Sequence, residues 1–229
     1  MRDDICTIPV SEVFEVNDGC PVCRMYNTVQ EHIVDYIMGA AMMEPDVRQV
    51  TNVTGFCEKH YRQMLGRRGR LQLALMLESH IDHVNDKVLS DKLFRSNKSK
   101  GEKASKITES CFICDKIEWG MSRMIDTLYQ CYETQMDFRK MFNEQSMFCM
   151  PHFEMLANLA DKKKMRSYYG EFMSNLTRIT QNYSKTLHDD VKKYCSMYDY
   201  RNNTKDADWG NSKDSVERTI SFLTGTIID

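Results

Sequence analysis

Two copies of one cysteine and histidine pattern constrain this chain more than any other feature in it. The first copy runs Cys20-Pro21-Val22-Cys23, a helix-length spacer, then Gly55-Phe56-Cys57-Glu58-Lys59-His60. The second runs Cys111-Phe112-Ile113-Cys114, a spacer one residue longer, then Met147-Phe148-Cys149-Met150-Pro151-His152. In C-x-x-C or C-x-x-H at a helix start, side chains at i and i+3 project from the same face. Two such turns brought together therefore offer four ligands around one point. The repeat extends past the ligands, because Asp46-Val47-Arg48 matches Asp137-Phe138-Arg139 at the offset that separates Cys20 from Cys111. Two copies of one supersecondary unit are the simplest account.

Three thiolates and one imidazole form the tetrahedral set that zinc prefers, and with every position filled by protein no open site remains for water or substrate. The expectation is two structural zinc ions, one per copy. Each quartet is expected to close within its own copy, because a longer loop costs more entropy to close. The predicted ligands are thus Cys20, Cys23, Cys57 and His60 for one ion, and Cys111, Cys114, Cys149 and His152 for the other. Helix N-terminal dipoles offset the net negative charge of such a site and lower thiol pKa values. An iron-sulfur centre, which usually takes four thiolates, suits the set less well. Free thiols or reversible disulfides are the remaining alternative.

Apolar spacing predicts an all-α fold of two pseudo-repeated helical lobes, each built around a Cys3His site. Residues 1–19 read as a partly extended lead-in, ending in the turn chemistry of Asp18-Gly19. Pro21 suits the first position of a helix that fades near Met42 or Met43. Residues 46–54 read as a short polar segment. A helix follows the second knuckle as far as Leu65. Leu71, Leu73, Ala74, Leu75, Leu77, Ile81, Val84 and Val88 then form a longer helix whose wide apolar face predicts a central packing role. Residues 95–110 are almost free of apolar side chains and read as a linker between lobes 1–94 and 111–229. In the second lobe, helices are expected from Cys111 through Tyr132, through Leu156 and Leu159, from about Met165 to Tyr198, and from about Lys213 to Leu223. The last places Val216, Ile220 and Leu223 on one stripe, and Trp209 is expected to pin the loop before it. No sustained period-two strand pattern occurs.

The weaker candidates have plain structural readings beside the functional ones. Asp46, Arg48, Asp137 and Arg139 could support the ligands, Asp accepting from imidazole and Arg donating to sulfur. A repeated surface ion pair or helix cap is the favoured account. His80 and His83 share a helix with only Asp82 nearby and read as a solvated pair. Cys6, Cys131 and Cys195 have no partner at ligand spacing, and most of the 17 methionines fall on apolar faces as core filling. Basic residues follow each knuckle, Lys59, Arg62, Arg67, Arg68 and Arg70 in one lobe and Lys162, Lys163, Lys164 and Arg166 in the other. An ordinary solvated face accounts for them.

A formal charge of -2 gives no global drive toward nucleic acid or an anionic membrane. No apolar run is long enough to span a bilayer, and the sequence after Met1 has no apolar signal region, so a cytoplasmic protein is expected. Nine cysteines are an odd number for a complete disulfide framework. No P-loop, dinucleotide fingerprint or Ser/His/Asp arrangement is present, so the reading leans away from an enzyme.

The two first-copy knuckles, Leu71-Gln72-Leu73-Ala74-Leu75-Met76-Leu77-Glu78, Tyr198-Asp199-Tyr200-Arg201 and Trp209-Gly210-Asn211 resemble an uncharacterised bacterial family, common in anaerobes, known only as a domain of unknown function. The resemblance covers almost the whole chain and implies a cytosolic bacterial protein without supplying an activity. Met147 stands where the first copy has Gly55, so the entry turn of the last knuckle is expected to differ. The functional expectation is a non-enzymatic interaction or regulatory module stabilised by zinc, with a protein partner. The alternatives are a thiol redox or metal-handling protein and a nucleic-acid-binding zinc module.

Overall fold

The computed structural model describes residues 7–90, 97–199, 201 and 208–225. Among these the fold is all-helical. The order is α1 (Thr7–Glu15), α2 (Pro21–Met38), a 3-10 turn (Ala40–Met43), α3 (Pro45–Thr54), α4 (Glu58–Gly66), α5 (Arg70–Val84), a π-helical turn (Asn85–Leu89) and α6 (Asn97–Thr108). Then come α7 (Phe112–Thr134), α8 (Met136–Asn143), α9 (Met150–Leu159), α10 (Tyr169–Ser196), a 3-10 turn (Gly210–Ser212) and α11 (Ser215–Thr224). No described helix is long and apolar enough to cross a membrane.

The chain forms two compact units, each holding one three-cysteine, one-histidine cluster. One comprises the described residues up to Asn27 and those from Ser122 on; the other comprises residues 28–121. The boundaries therefore fall inside α2 and α7, not in the segment 95–110. That segment is not the structureless linker expected: Asn97–Thr108 is helical, and 95 and 96 lie outside the described residues. Its Lys, Glu and Ala content favours a helix, and Lys103, Ala104 and Ile107, spaced for one face, are half-buried. Lys103 donates to the Lys87 carbonyl of the π-helical turn at 3.4 Å.

Two further segments are helical where the sequence suggested otherwise. The lead-in contains α1, which tolerates Pro9 because it lies in the first turn. Val10 and Phe14, one turn apart, are buried. Phe14 lies 5.0 Å from Phe138 and 5.7 Å from Phe142, ring centre to ring centre. Phe142 in turn meets Phe148 at 4.9 Å, Phe172 at 5.0 Å and Tyr132 at 5.1 Å. This aromatic cluster is the core of the first unit. The polar segment 46–54 is α3, with Pro45 in its first turn and Asp46 at its positive end.

Two apolar stripes face outward instead of inward. On α5 only Leu73 and Met76 are buried, while Leu71, Leu75 and Ile81 are exposed. A helix apolar on all sides carries no periodic signal to say which face packs, and the expected central role does not hold. On α11, Val216, Ile220 and Leu223 are exposed, and Phe222 and Ser215 are the buried residues. Trp209 packs edge-on to Tyr194 at 5.8 Å and Tyr198 at 6.1 Å; the loop it was expected to pin, residues 202–207, lies outside the described residues.

Candidate metal centres

All eight predicted ligands converge on two points, but not in the predicted partnership. One cluster is Cys20, Cys23, Cys149 and His152; the other is Cys57, His60, Cys111 and Cys114. The C-x-x-C of each copy meets the C-x-x-H of the other, which corrects the expectation that each quartet closes within its own copy. Helix length is the reason. At 18 residues, α2 carries the chain about 27 Å away from Cys20 and Cys23, at about 1.5 Å per residue. The 10 residues of α3 can return only about 15 Å. In the second copy the mismatch is larger, 23 residues in α7 against 8 in α8. Neither return helix is long enough by itself to bring a C-x-x-H turn back to the C-x-x-C of its own copy.

In each cluster the ligands come from the starts of two helices. Cys149 caps α9 with extended backbone (φ -70°, ψ 159°) and Cys57 caps α4 in the same way (φ -75°, ψ 164°). Cys20 and Cys111 immediately precede α2 and α7. The histidines follow one turn into α9 and α4. Four helix N-termini, two per cluster, therefore direct their positive ends at thiol groups.

The geometry fits a tetrahedral ion. In the first cluster His152 Nδ1 lies 3.1 Å from Cys149 Sγ, 3.3 Å from Cys23 Sγ and 3.6 Å from Cys20 Sγ. Cys23 and Cys149 sulfurs are 3.6 Å apart. In the second, His60 Nδ1 lies 3.2 Å from both Cys57 and Cys111 Sγ and 3.4 Å from Cys114 Sγ, with Cys57 and Cys114 sulfurs 3.8 Å apart. Zinc bond lengths of about 2.3 Å to sulfur and 2.0–2.1 Å to nitrogen give tetrahedral edges of about 3.8 Å for S···S and 3.6 Å for S···N. These sulfurs stand much farther apart than the roughly 2.05 Å of a disulfide.

The clusters differ in surroundings. All four ligands of the first are buried, whereas in the second Cys57 is half-buried and Cys114 exposed. Gly225, which ends α11 with φ +84°, comes so close to the first cluster that a Cβ there would sit 3.8 Å from both Cys23 and Cys149 sulfurs. A lone glycine after the last helix signals a C-cap, but not this approach. In the second cluster the entry is set by Gly55 (φ +58°), whose carbonyl accepts from Phe112 N–H at 3.1 Å. The first cluster has no counterpart: Pro21 stands in place of Phe112 and has no N–H. No described non-glycine residue, Met147 included, adopts positive φ, so the two entry turns do differ.

Electrostatics also separate them. In the first cluster burial pushes the Cys20 thiol up, but hydrogen bonds from Cys149, Cys23 and His152 outweigh it and hold the group well below its ordinary range. His152 is drawn down by burial yet raised to about 9 by the Cys20 and Cys23 sulfurs. Hydrogen bonds with Cys20 and Cys23 push Cys149 up. In the second cluster burial, then the charge of Lys59, lowers His60 to about 4. Burial raises both Cys111 and Cys114. Metal binding to either set therefore releases protons.

Asp46 and Asp137 are exposed in the first turns of α3 and α8, where their charge opposes the helix dipole. Arg48 donates to the Leu75 carbonyl at 3.0 Å and to Ser79 Oγ. Arg139 donates to the last-turn carbonyls of α7, Tyr132 O at 2.8 Å and Glu133 O at 3.1 Å, and lies 3.8 Å over the Tyr168 ring. Both arginines thus bind backbone where ligand support had been one expectation. His80 donates its Nδ1–H to the Asn52 carbonyl, 2.8 Å away, and backs Gly55. Cys131 is buried in α7 and Cys195 exposed on α10; Cys6 lies outside the described residues. Of the basic residues, Arg62 pairs with Glu58, Arg67 with Asp35 and Lys164 with Asp126.

No curated protein and no solved structure matches this chain. Over residues 1–229 it does match a family described as a family of unknown function, DUF6062, an extent that includes both clusters and every described helix. The chain belongs to that family.

Proposed function

We propose that this protein is a cytoplasmic, zinc-binding helical module, bacterial in origin, that acts by engaging a protein partner and not by catalysis. The observation that carries the reading is the pair of ligand sets, each with its four donor atoms within 4.8 Å of one another. Four donors around one point suit a single ion; an iron-sulfur cluster spreads its thiolates over several irons. Four protein donors fill a zinc coordination sphere and leave no place for a substrate, the signature of a structural site.

The test is metal content with a visible absorption spectrum, on protein purified without oxygen. Two colourless zinc ions per chain support the reading, with one lost in Cys20→Ser and one in Cys111→Ser. Iron with charge-transfer absorption, or metal-free protein with unchanged folding, would overturn it. A second reading, thiol redox or metal handling, draws on Cys114, exposed and 3.8 Å from the Cys57 sulfur. It predicts reversible zinc loss on mild oxidation with the helices retained.

A further inference from the structure

The two clusters share a donor set but not an environment, and metal exchange depends on environment. Ligand exchange at a filled tetrahedral ion begins when an incoming donor reaches the metal as one protein ligand departs. In the first cluster Cys20, Cys23, Cys149 and His152 are all buried, and the Gly225 backbone lies against two of the sulfurs. A cavity bordered by Asp18, Gly19, Ser146 and Met147 reaches this cluster at Cys20, which is itself only 5% exposed, so an incoming donor meets far less sulfur here than at Cys114. In the second, Cys114 is exposed and Cys57 half-buried, while Cys111 and His60 are buried behind them. The buried pair is anchored from two sides. Phe112, next to Cys111, is tied to Gly55 through its N–H, and Ser110 Oγ donates to the Thr54 carbonyl at 2.7 Å.

We propose that the second cluster is a metal-exchange site that yields its ion to thiolate-bearing acceptors through Cys114, while the first holds its ion permanently. This rests on the zinc reading of both clusters. In the exchange step the acceptor's sulfur donates its electron pair to zinc, and the bond to Cys114 breaks with its pair staying on Cys114 Sγ, which then takes up a proton. Cys57, next in exposure, leaves in the same way. No oxidant is required and no residue changes oxidation state. Cys111 and His60 hold the ion until the acceptor supplies enough sulfurs, so the site transfers zinc without releasing it to water.

The experiment is zinc release from the full-length protein to the chromophoric chelator 4-(2-pyridylazo)resorcinol, followed with increasing glutathione. Two phases of equal amplitude are expected, at least tenfold apart in rate, with only the fast one accelerating in proportion to glutathione. Iodoacetamide quenching at the end of the fast phase, followed by peptide mass spectrometry of the unmodified chain, should find label on Cys114 and Cys57 and not on Cys20, Cys23 or Cys149. Cys114→Ser should remove the fast phase alone. A single phase, or early label on the first cluster, would overturn the proposal while leaving two-zinc binding intact. Fewer than two zinc ions per chain before chelator is added would instead overturn the metal reading beneath it.

Discussion

Phe112 donates its backbone N–H to the carbonyl of Gly55 at 3.1 Å, joining the residue after Cys111 to the turn that delivers Cys57. Gly55 can accept because its φ of +58° turns the backbone in a way that side chains oppose. A Cβ there would lie 2.6 Å from His80 Nε2, on a ring held by the Asn52 carbonyl. Gly55→Ala should therefore lose about 2–4 kcal/mol, combining backbone strain with overpacking. Urea denaturation measures it. Adding His80→Ala should recover only part, because the strained φ remains; full recovery would assign the whole effect to the clash.

Pairing across the two copies makes a prediction that within-copy pairing reverses. Cys20→Ser with Cys149→Ser should remove one zinc per chain, and Cys20→Ser with Cys57→Ser should remove both. Zinc quantified by atomic absorption decides between them. Structural zinc contributes roughly 10–16 kcal/mol in small zinc folds, so the second double variant should also lose much of its helical circular dichroism.

Removing Arg139 should separate helix capping from ligand support. Its guanidinium satisfies two carbonyls at the end of α7 and stacks on Tyr168. Arg139→Ala should cost about 1–3 kcal/mol in stability. Zinc content and release rates should not change; a lost ion would restore the ligand-supporting role.

At the centre of the first unit, Phe142 is fully buried among Phe14, Tyr132, Phe148 and Phe172. Phe142→Ala should cost about 3–5 kcal/mol, read as a lowered denaturation midpoint. A change below about 1 kcal/mol would mean that the cluster is loosely packed.

The helical class and the eight ligand positions were legible because i, i+3 spacing and apolar periodicity are local properties. Which cysteine pair meets which histidine is not local. Loop entropy favoured Cys57 as the partner of Cys23, yet the 126-residue separation to Cys149 is only about fourfold longer, and each doubling costs only about 0.6 kcal/mol. The span of α2 outweighs so small a preference. The same limit explains α5, whose leucines lie on every side, and α6, whose polar sequence hid one half-buried stripe of Lys103, Ala104 and Ile107. Composition alone understates a helix that needs only one face to pack.

Crossed pairing also fixes an order of events on the ribosome. The ligands from Cys57 to Cys114 are enclosed in sequence by those from Cys20 to His152, so the inner set is complete while the outer still lacks Cys149 and His152. At about 5–20 residues per second, translation leaves Cys20 and Cys23 waiting several seconds after Cys114 is made. The enclosed set is thus complete in the nascent chain before the outer one can be.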